Sequence, residues 1–242
     1  MSERNTAIVL AAGQGKRMHS KVQKQFLEIQ GYPVLYYSLR CFQESPLIQD
    51  IILVTGEESI SYCKEEIVQK YHFTKVNIIT SGGAERYLSV GRALQLIADG
   101  RLKVPNEHGY VFIHDGARPF LTEKILEDTY AAAVQYQACV AAVQSKDTVK
   151  IVDENQFAVN TPVRKYVWIV QTPQVFETAL IRHAYFKLME NEENETGITD
   201  DAMVVERMEN CAVKLVEGSY ENIKITTPED LILAESLIKK RN

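Results

Sequence analysis

Runs of apolar, β-branched residues alternate along this chain with stretches in which apolar residues recur at helical spacing. Strands that are apolar almost throughout, with helices between them, are typical of a parallel sheet that is covered on both faces. The alternation therefore predicts an α/β fold with an open, doubly wound and mostly parallel sheet. The predicted strands cover 6–12, 49–55, 76–80, 110–114 and 138–143, and the predicted helices cover 34–44, 57–70, 85–98 and 122–136.

The alternation lapses between 145 and 172, where two short β segments follow one another without a helix between them. We expect an antiparallel β-arm at 145–170 that protrudes from the main sheet and exposes Tyr166, Val167 and Trp168. An exposed apolar surface of this kind favours cover by a partner subunit, and packing against its own domain is the alternative. Beyond the arm we expect helices at 177–190, 199–208 and 229–240 and strands at 213–217 and 222–226.

Composition narrows the class of protein. The 242 residues carry 27 Lys and Arg against 32 Asp and Glu, and the formal charge of −5 argues against a broad nucleic-acid-binding face. The 4 cysteines lack the spacing of a zinc or redox site, and no apolar run is long enough to cross a membrane. These two features predict a cytoplasmic protein. No repeat or long linker divides the chain, so we expect residues 1–242 to form a single domain.

The predicted strand at 6–12 leads into Gly13 and Gly15, at the place where α/β folds bind phosphates. The spacing fits neither a P-loop nor a dinucleotide fingerprint, in which Met18 would have to be a glycine or alanine. Glycines let backbone N–H groups approach an anion closely, and several cations together neutralise a triphosphate. A phosphate loop and a surface turn with solvated lysines both fit this segment. Its cations are Lys16, Arg17, Lys21 and Lys24.

A second signal stands at the end of the predicted strand 110–114, where Asp115 follows His114. The carboxyl end of a parallel strand borders the crevice in which such folds place ligands. Asp115 is suited to hold Mg²⁺, which takes one or two carboxylates and fills its other positions with phosphate and water. A helix cap is the alternative role for Asp115, and His114 is expected to be a packed strand residue. Glu221 and Lys224 add a carboxylate and a cation near the C-terminus.

Taken together, these motifs resemble those of the 2-C-methyl-D-erythritol 4-phosphate cytidylyltransferases, from about residue 5 to 238. The likeness begins with LAAGQGKRM at 10–18 and Lys24-Gln25, and further blocks follow in the same order and spacing. These blocks are GGAER at 82–86, HDGARP at 114–119, KDTVK at 146–150, QTPQ at 171–174, ITDDA at 198–202 and NIKIT at 222–226.

The resemblance implies a Rossmann-like nucleotidyltransferase that moves CMP from CTP to a polyol phosphate, uses Mg²⁺ and releases pyrophosphate. It also implies a homodimer in which each arm helps to close the partner's site. By the same likeness, Arg17 and Lys24 stabilise the transition state, and Arg164 and Lys224 hold the acceptor phosphate. The residues implied to bind the nucleotide are Ala11, Ala12, Gly13, Gly15, Gly83, Arg86, Ser89 and Gly116. Those implied to bind the rest of the acceptor are Asp115, Arg118, Thr148, Thr172 and Glu221.

Such a reaction suits residues of this kind. The attacking phosphate oxygen is already an anion at neutral pH, so neither a general base nor a covalent nucleophile is needed. The barrier comes from bringing anions together, which positioning and fixed positive charge lower. We therefore expect the loss of Arg17 or Lys24 to reduce kcat about 100-fold or more.

Three other functions are weighed against this one. Ribitol-5-phosphate cytidylyltransferases share most motifs, but their acidic block tends to read His-Asp-Ser-Val-Arg-Pro, and the HDGARP block here favours methylerythritol phosphate. A nucleotide-sugar glycosyltransferase would be expected to carry Asp-x-Asp, whereas Gly116 and Ala117 follow Asp115. A nucleotide sensor without activity would be expected to lack Arg17, Lys24 or Lys224.

Overall fold

The computed structural model of the protein describes residues 4–13, 15, 18, 22–102, 108–190 and 197–241. The strands are β1 (Thr6–Ala11), β2 (Glu28–Ile29), β3 (Tyr32–Pro33), β4 (Asp50–Thr55), β5 (Val76–Ser81), β6 (Tyr110–Asp115), β7 (Ala138–Gln144), β8 (Ile151–Val152), β9 (Ala158–Asn160), β10 (Trp168–Glu177) and β11 (Lys214–Glu217). Within the described ranges, 7 of them form one sheet in the order β11-β7-β10-β6-β1-β4-β5. Its neighbouring strands are parallel except where β10 runs antiparallel to β6 and β7. The mostly parallel α/β fold predicted from the sequence is confirmed.

Helices follow the strands in nearly the predicted places. They are α1 (Val34–Glu44), α2 (Ile60–Tyr62), α3 (Arg86–Ala98), α4 (Glu123–Tyr136), α5 (Thr178–Met189), α6 (Asp201–Glu209) and α7 (Pro228–Arg241). The predicted helix at 57–70 is irregular, because a 3₁₀ turn at Glu57–Ser59 precedes α2 and a π-helical stretch at Cys63–Gln69 follows it. None of the described helices combines the length and the apolar composition needed to cross a membrane.

The burial of successive strand residues explains why helices cover both faces of the sheet. Successive residues of β1 point to opposite sides, and Val9 belongs to one apolar cluster while Ile8 belongs to the other. Leu39 of α1 packs in the first cluster, and Leu94 of α3 and Ile181 of α5 pack in the second. Each fully buried side chain of this size contributes roughly 1.5–3 kcal/mol, so an uncovered face would cost much of the fold's stability.

The expected arm at 145–170 differs in extent from the structure. β8 and β9 pair antiparallel as a separate two-stranded sheet, and their residues are exposed. The segment 168–170, which the sequence assigns to the arm, instead begins β10 and pairs with β7 in the central sheet. A short apolar segment of this kind indicates that a strand forms, but it does not show which neighbour the strand pairs with.

The predicted strand at 222–226 is wrong, because this segment has no strand assignment in the structure. Polar contacts hold it against the middle of β10 and the turn after β6 instead. Asn222 Nδ2 donates to the carbonyl of Thr172 at 2.9 Å, and the Ile225 N–H donates to the carbonyl of Ala117 at 2.8 Å. These contacts bring Lys224 to the carboxyl edge of the sheet.

Candidate active site

A cavity of about 200 Å³ opens at the carboxyl edge of the sheet. Parallel pairing of β1 with β6 sets Leu10 opposite Asp115, so the loops after both strands meet at this edge. The cavity is lined by Leu10, Ala11, Ala12, Gly13, Lys24, Gln25, Gly83, Ala84, Glu85, Arg86, Ser89, Asp115, Ala117 and Lys224. Most of the residues predicted to bind nucleotide or acceptor are therefore brought together here.

Asp115 is the electrostatic centre of the cavity. Its Oδ2 lies 2.7 Å from Lys224 Nζ and 3.7 Å from Arg118 Nε, and its Oδ1 lies 3.6 Å from Arg86 Nε. Burial alone would raise the pKa of this carboxyl, but the three cations hold the pKa well below its ordinary value. Asp115 is therefore ionised at neutral pH and gathers cations from three separate segments of the chain.

A neutral histidine supports the turn that carries Asp115. His114 is fully buried, and burial lowers its pKa from 6.5 to about 4. Its Nδ1 lies 2.9 Å from Thr172 Oγ1, and its Nε2 lies 3.2 Å from the Arg118 carbonyl. The neutral ring satisfies both contacts if Nε2 donates to the carbonyl and the Thr172 hydroxyl donates to Nδ1. Thr172 Oγ1 in turn accepts from the Asp115 N–H at 3.1 Å.

The glycine segment after β1 passes close to Lys24. Gly15 has φ of +63°, which favours glycine, and a Cβ there would lie 3.3 Å from Lys24 Cβ and Cγ. Gln25 Nε2 donates to the Ala11 carbonyl at 2.5 Å, which ties the turn at Lys24 to the end of β1. Lys24 thereby becomes part of the cavity wall. Three predicted cations of this segment, Lys16, Arg17 and Lys21, lie outside the described residues.

The loop between β5 and α3 forms the opposite wall. A Cβ on Gly82 would lie 2.6 Å from Ala12 Cβ and 2.7 Å from Ser89 Oγ, so only glycine lets the loop approach β1 this closely. The Gly83 N–H donates to Ser89 Oγ at 3.0 Å, which fixes the loop to the first turn of α3. This wall offers backbone groups and the start of a helix, both of which suit a phosphorylated ligand.

Four described residues of the predicted set lie around the cavity without lining it, namely Gly15, Gly116, Arg118 and Thr172, and three lie elsewhere. The Gly116 N–H donates to the Leu10 carbonyl at 2.8 Å, and Arg118 Nη1 donates to the Asn222 carbonyl at 2.7 Å. Glu221 points to the C-terminal helix, since its Oε2 accepts from Arg241 Nη2 at 2.9 Å. Those in the arm are Thr148 and Arg164, which are exposed and do not line the cavity.

Sequence analysis missed several side chains that hold the site in shape. Gln25, Asn222 and Asp201 stand in the motif blocks quoted above, but no role follows from the blocks themselves. Asp201 accepts from both terminal nitrogens of Arg86, at 2.8 and 2.6 Å.

A wider groove of about 630 Å³ between α3 and α5 is lined by none of the predicted site residues.

A mostly parallel sheet whose carboxyl edge carries glycine loops and convergent cations defines an α/β nucleotidyltransferase. The chain belongs to the 2-C-methyl-D-erythritol 4-phosphate cytidylyltransferase family, whose model matches residues 5–240. It is 49% identical over 235 residues to the cytidylyltransferase of that name from Lachnospira eligens, covering 97% of this chain and 99% of the relative. The corresponding protein from Clostridium kluyveri is also 49% identical, over 97% of this chain and 96% of its own length.

Solved structures agree with the family assignment. The 4-diphosphocytidyl-2C-methyl-D-erythritol synthase from Anaerococcus prevotii superposes with a TM-score of 0.82 at 36% identity, covering 98% of this chain and 96% of that one. The 2-C-methyl-D-erythritol 4-phosphate cytidylyltransferase from Francisella tularensis gives a TM-score of 0.77 at 29% identity, covering 97% and 99%. The resemblance inferred from the motifs is confirmed.

Proposed function

We propose that this protein transfers the cytidylyl group of CTP to 2-C-methyl-D-erythritol 4-phosphate. A phosphate oxygen of the acceptor attacks the α-phosphorus of CTP, and the bond between that phosphorus and the bridging oxygen breaks as pyrophosphate leaves. The observation that carries the proposal is the convergence of Lys24, Arg86 and Lys224 on one cavity between two glycine loops. The choice of CTP as the nucleotide and of 2-C-methyl-D-erythritol 4-phosphate as the acceptor is supported by the cytidylyltransferase family to which the chain belongs.

The nucleotide is assigned to the walls made by the two glycine loops. The loop after β1, from Ala11 to Gly15, would cradle the triphosphate, and Lys24 would neutralise the charge that grows on the leaving pyrophosphate. The loop at 82–86 lies across the cavity, where backbone groups are able to recognise the donor and acceptor edge of cytosine. Arg17 is assigned to the same transition-state set by family likeness.

The acceptor is assigned to the side of the cavity formed by Asp115 and Lys224. Their 2.7 Å ion pair holds the Lys224 ammonium at a defined place beside the nucleotide walls, so it would orient the acceptor phosphate for in-line attack. The carboxylate would accept from a hydroxyl of the polyol. Arg118 and Thr172 support this side through their contacts around Asp115.

Asp115 does not fit the role of a metal ligand that the sequence suggests. Both of its oxygens face cations, and no group of three or more His, Cys, Asp or Glu side chains within the described ranges is arranged to hold a metal. We propose that Mg²⁺ enters as the counter-ion of the CTP phosphates, which it binds readily with few protein ligands. No step of the mechanism is assigned to a metal held by Asp115.

We further propose a homodimer formed through the arm and a cytoplasmic location. Large apolar side chains crowd the arm, and Phe157, Val159 and Tyr166 are 71%, 63% and 74% exposed. Exposed apolar side chains that are grouped in this way favour cover by a second subunit. Thr148 and Arg164 would then act at the partner's site. All 4 cysteines are free thiols, which suits a reducing compartment.

The function is tested by pyrophosphate release with CTP and Mg²⁺, with 2-C-methyl-D-erythritol 4-phosphate and ribitol 5-phosphate compared side by side. We expect a preference of at least about 100-fold in kcat/KM for the first acceptor, because a site built to hydrogen-bond particular hydroxyls rejects analogues that misplace them. A preference for ribitol 5-phosphate would keep the mechanism and change the acceptor. Release with neither acceptor would refute the proposal.

The dimer is tested by the double variant Phe157→Asp, Tyr166→Asp. Two buried carboxylates would prevent association, so sedimentation velocity should show a dimer for the wild type and a monomer for the variant. Activity should fall with the loss of the dimer. A wild-type monomer with full activity would contradict the proposal.

A further inference from the structure

A buried ion pair joins the first residues of two helices behind the cavity. Arg86 begins α3 and Asp201 begins α6. The Asp201 side chain is fully buried, and it accepts from Nη1 and Nη2 of Arg86 at 2.8 and 2.6 Å. A bidentate pair of this kind fixes both the position and the plane of the guanidinium.

Tyr185 of α5 completes the arrangement. Its hydroxyl donates to Asp201 Oδ1 at 2.6 Å, and the residue is 3% exposed. Burial raises the pKa of Tyr185, and the adjacent Asp201 carboxylate raises it further, so the hydroxyl remains a donor. Asp201 is thus held from two sides, by Tyr185, which does not line the cavity, and by Arg86, which does.

The pair determines which part of Arg86 faces the reaction site. Both terminal nitrogens bond to Asp201, and the contact of Arg86 with Asp115 is made by Nε, at 3.6 Å. Lys224 therefore remains the nearest cation to Asp115, at 2.7 Å. Without the Asp201 charge, the guanidinium would be free to turn towards Asp115 and compete with Lys224.

The same pair anchors the start of α3. The N-cap residue Glu85 makes no side-chain cap, whereas Thr122 caps α4 and Asp200 caps α6. The first turn of α3 also holds the loop at 82–86 through Ser89. A shift of Arg86 would therefore move the wall to which we assign the nucleotide.

We propose that Asp201, held by Tyr185, is a positioning residue for nucleotide binding, which it controls by fixing Arg86 and the loop at 82–86. This inference rests on the proposed function for its ligand, CTP. It assigns a role in nucleotide binding to Asp201 of the ITDDA block at 198–202, which the proposed chemistry leaves without one.

The test is the affinity for CTP, measured by titration calorimetry with Mg²⁺ in the absence of acceptor. We expect Asp201→Asn to weaken CTP binding about tenfold. Asp201 contacts Arg86 directly, and side chains in direct contact commonly change each other's contribution to binding by about this factor. Tyr185→Phe keeps the ion pair and removes one hydrogen bond, so it should fold readily and weaken CTP binding about threefold.

A double-mutant cycle separates positioning from general stability. If Asp201 acts through Arg86, then adding Asp201→Asn to Arg86→Gln should change the CTP affinity less than about twofold further. Independent effects would instead multiply and would overturn the inference. The matched control is Asp50→Asn, since Asp50 is a buried carboxylate that pairs with Arg4 at 2.8 Å at the start of β4, at the opposite edge of the sheet. That variant should lose stability and keep the wild-type CTP affinity.

Each outcome is distinct from a failure of the proposed function. A wild type that binds CTP but uses neither acceptor would refute the function and leave this test intact. Wild-type CTP affinity in folded Asp201→Asn and Tyr185→Phe would refute the positioning role while leaving the function standing. Failure of the wild type to bind CTP would overturn both.

Discussion

Acidification should destabilise the protein through His114, well before its carboxylates are protonated. Burial lowers the pKa of His114 from 6.5 to about 4. The unfolded chain therefore binds more protons than the folded one between these values, and stability falls as the pH drops. The contribution is fully present above pH 6.5 and is lost progressively as the pH falls towards 4.

The size of the effect follows from the two pKa values. Linkage gives a loss of about 2 kcal/mol between pH 8 and pH 5, and about 3 kcal/mol by pH 4. Asp115 does not interfere in this range, because its pKa in the folded protein lies below its ordinary value and its own loss of stability begins only near pH 4. At pH 5 and above Asp115 therefore contributes little to the change in stability, and a comparison with a His114 variant separates the histidine from the remaining groups.

The assay is urea unfolding at several values between pH 8 and pH 5, for the wild type and for His114→Asn. Asparagine places its side-chain oxygen near the position of Nδ1, so it keeps an acceptor for Thr172 and has no titration. The difference between the two free energies should shrink by about 2 kcal/mol as the pH falls to 5. A difference that stays constant with pH would refute the assignment of a buried neutral imidazole.

Further substitutions test other parts of the structure. Gly15→Ala would place a Cβ at a left-handed position and against Lys24, so the unfolding free energy in urea should fall by about 1 kcal/mol or more, and the KM for CTP should rise. An unchanged midpoint would contradict the strained geometry. Thr122→Ala removes the N-cap of α4, whose hydroxyl oxygen accepts from the Ile125 N–H. The unfolding free energy should fall by about 1 kcal/mol with unchanged kinetics. A reduced kcat would show instead that this cap influences the active site. Glu221→Gln should leave kcat and KM within about twofold of the wild type, because the carboxylate pairs with Arg241 at the surface. A tenfold rise in the KM for the acceptor would contradict this and support the substrate contact predicted from the sequence.

The sequence predicts the sheet and the location of the cavity well, because both depend on local pattern. A buried strand that ends in Asp115 places that carboxylate at the carboxyl edge whatever the helices do. The glycines after β1 likewise indicate a close approach to a ligand or a neighbouring segment. Composition and spacing are sufficient for inferences of this kind.

Contacts between distant segments could not be predicted in the same way. The Arg86–Asp201 pair joins residues 115 positions apart, and neither residue carries a local sign of its partner. The sequence predicts a strand for Lys224, yet the hydrogen bonds of Asn222 and Ile225 are what bring it to Asp115. The first residues of β10 are predicted to belong to the arm because a short β segment has the same local pattern in an isolated hairpin and in a central sheet.

The central claim is that fixed positive charge in the cavity drives the transfer of the cytidylyl group, and kcat in Lys24→Ala tests it most directly. The matched control is Lys75→Ala, since Lys75 Nζ donates to the Ser45 carbonyl at 2.6 Å just before β5, at the amino end of the sheet. With CTP and acceptor both saturating, pyrophosphate release should fall about 100-fold in Lys24→Ala and stay near the wild-type rate in the control. A wild-type kcat in folded Lys24→Ala would contradict the account.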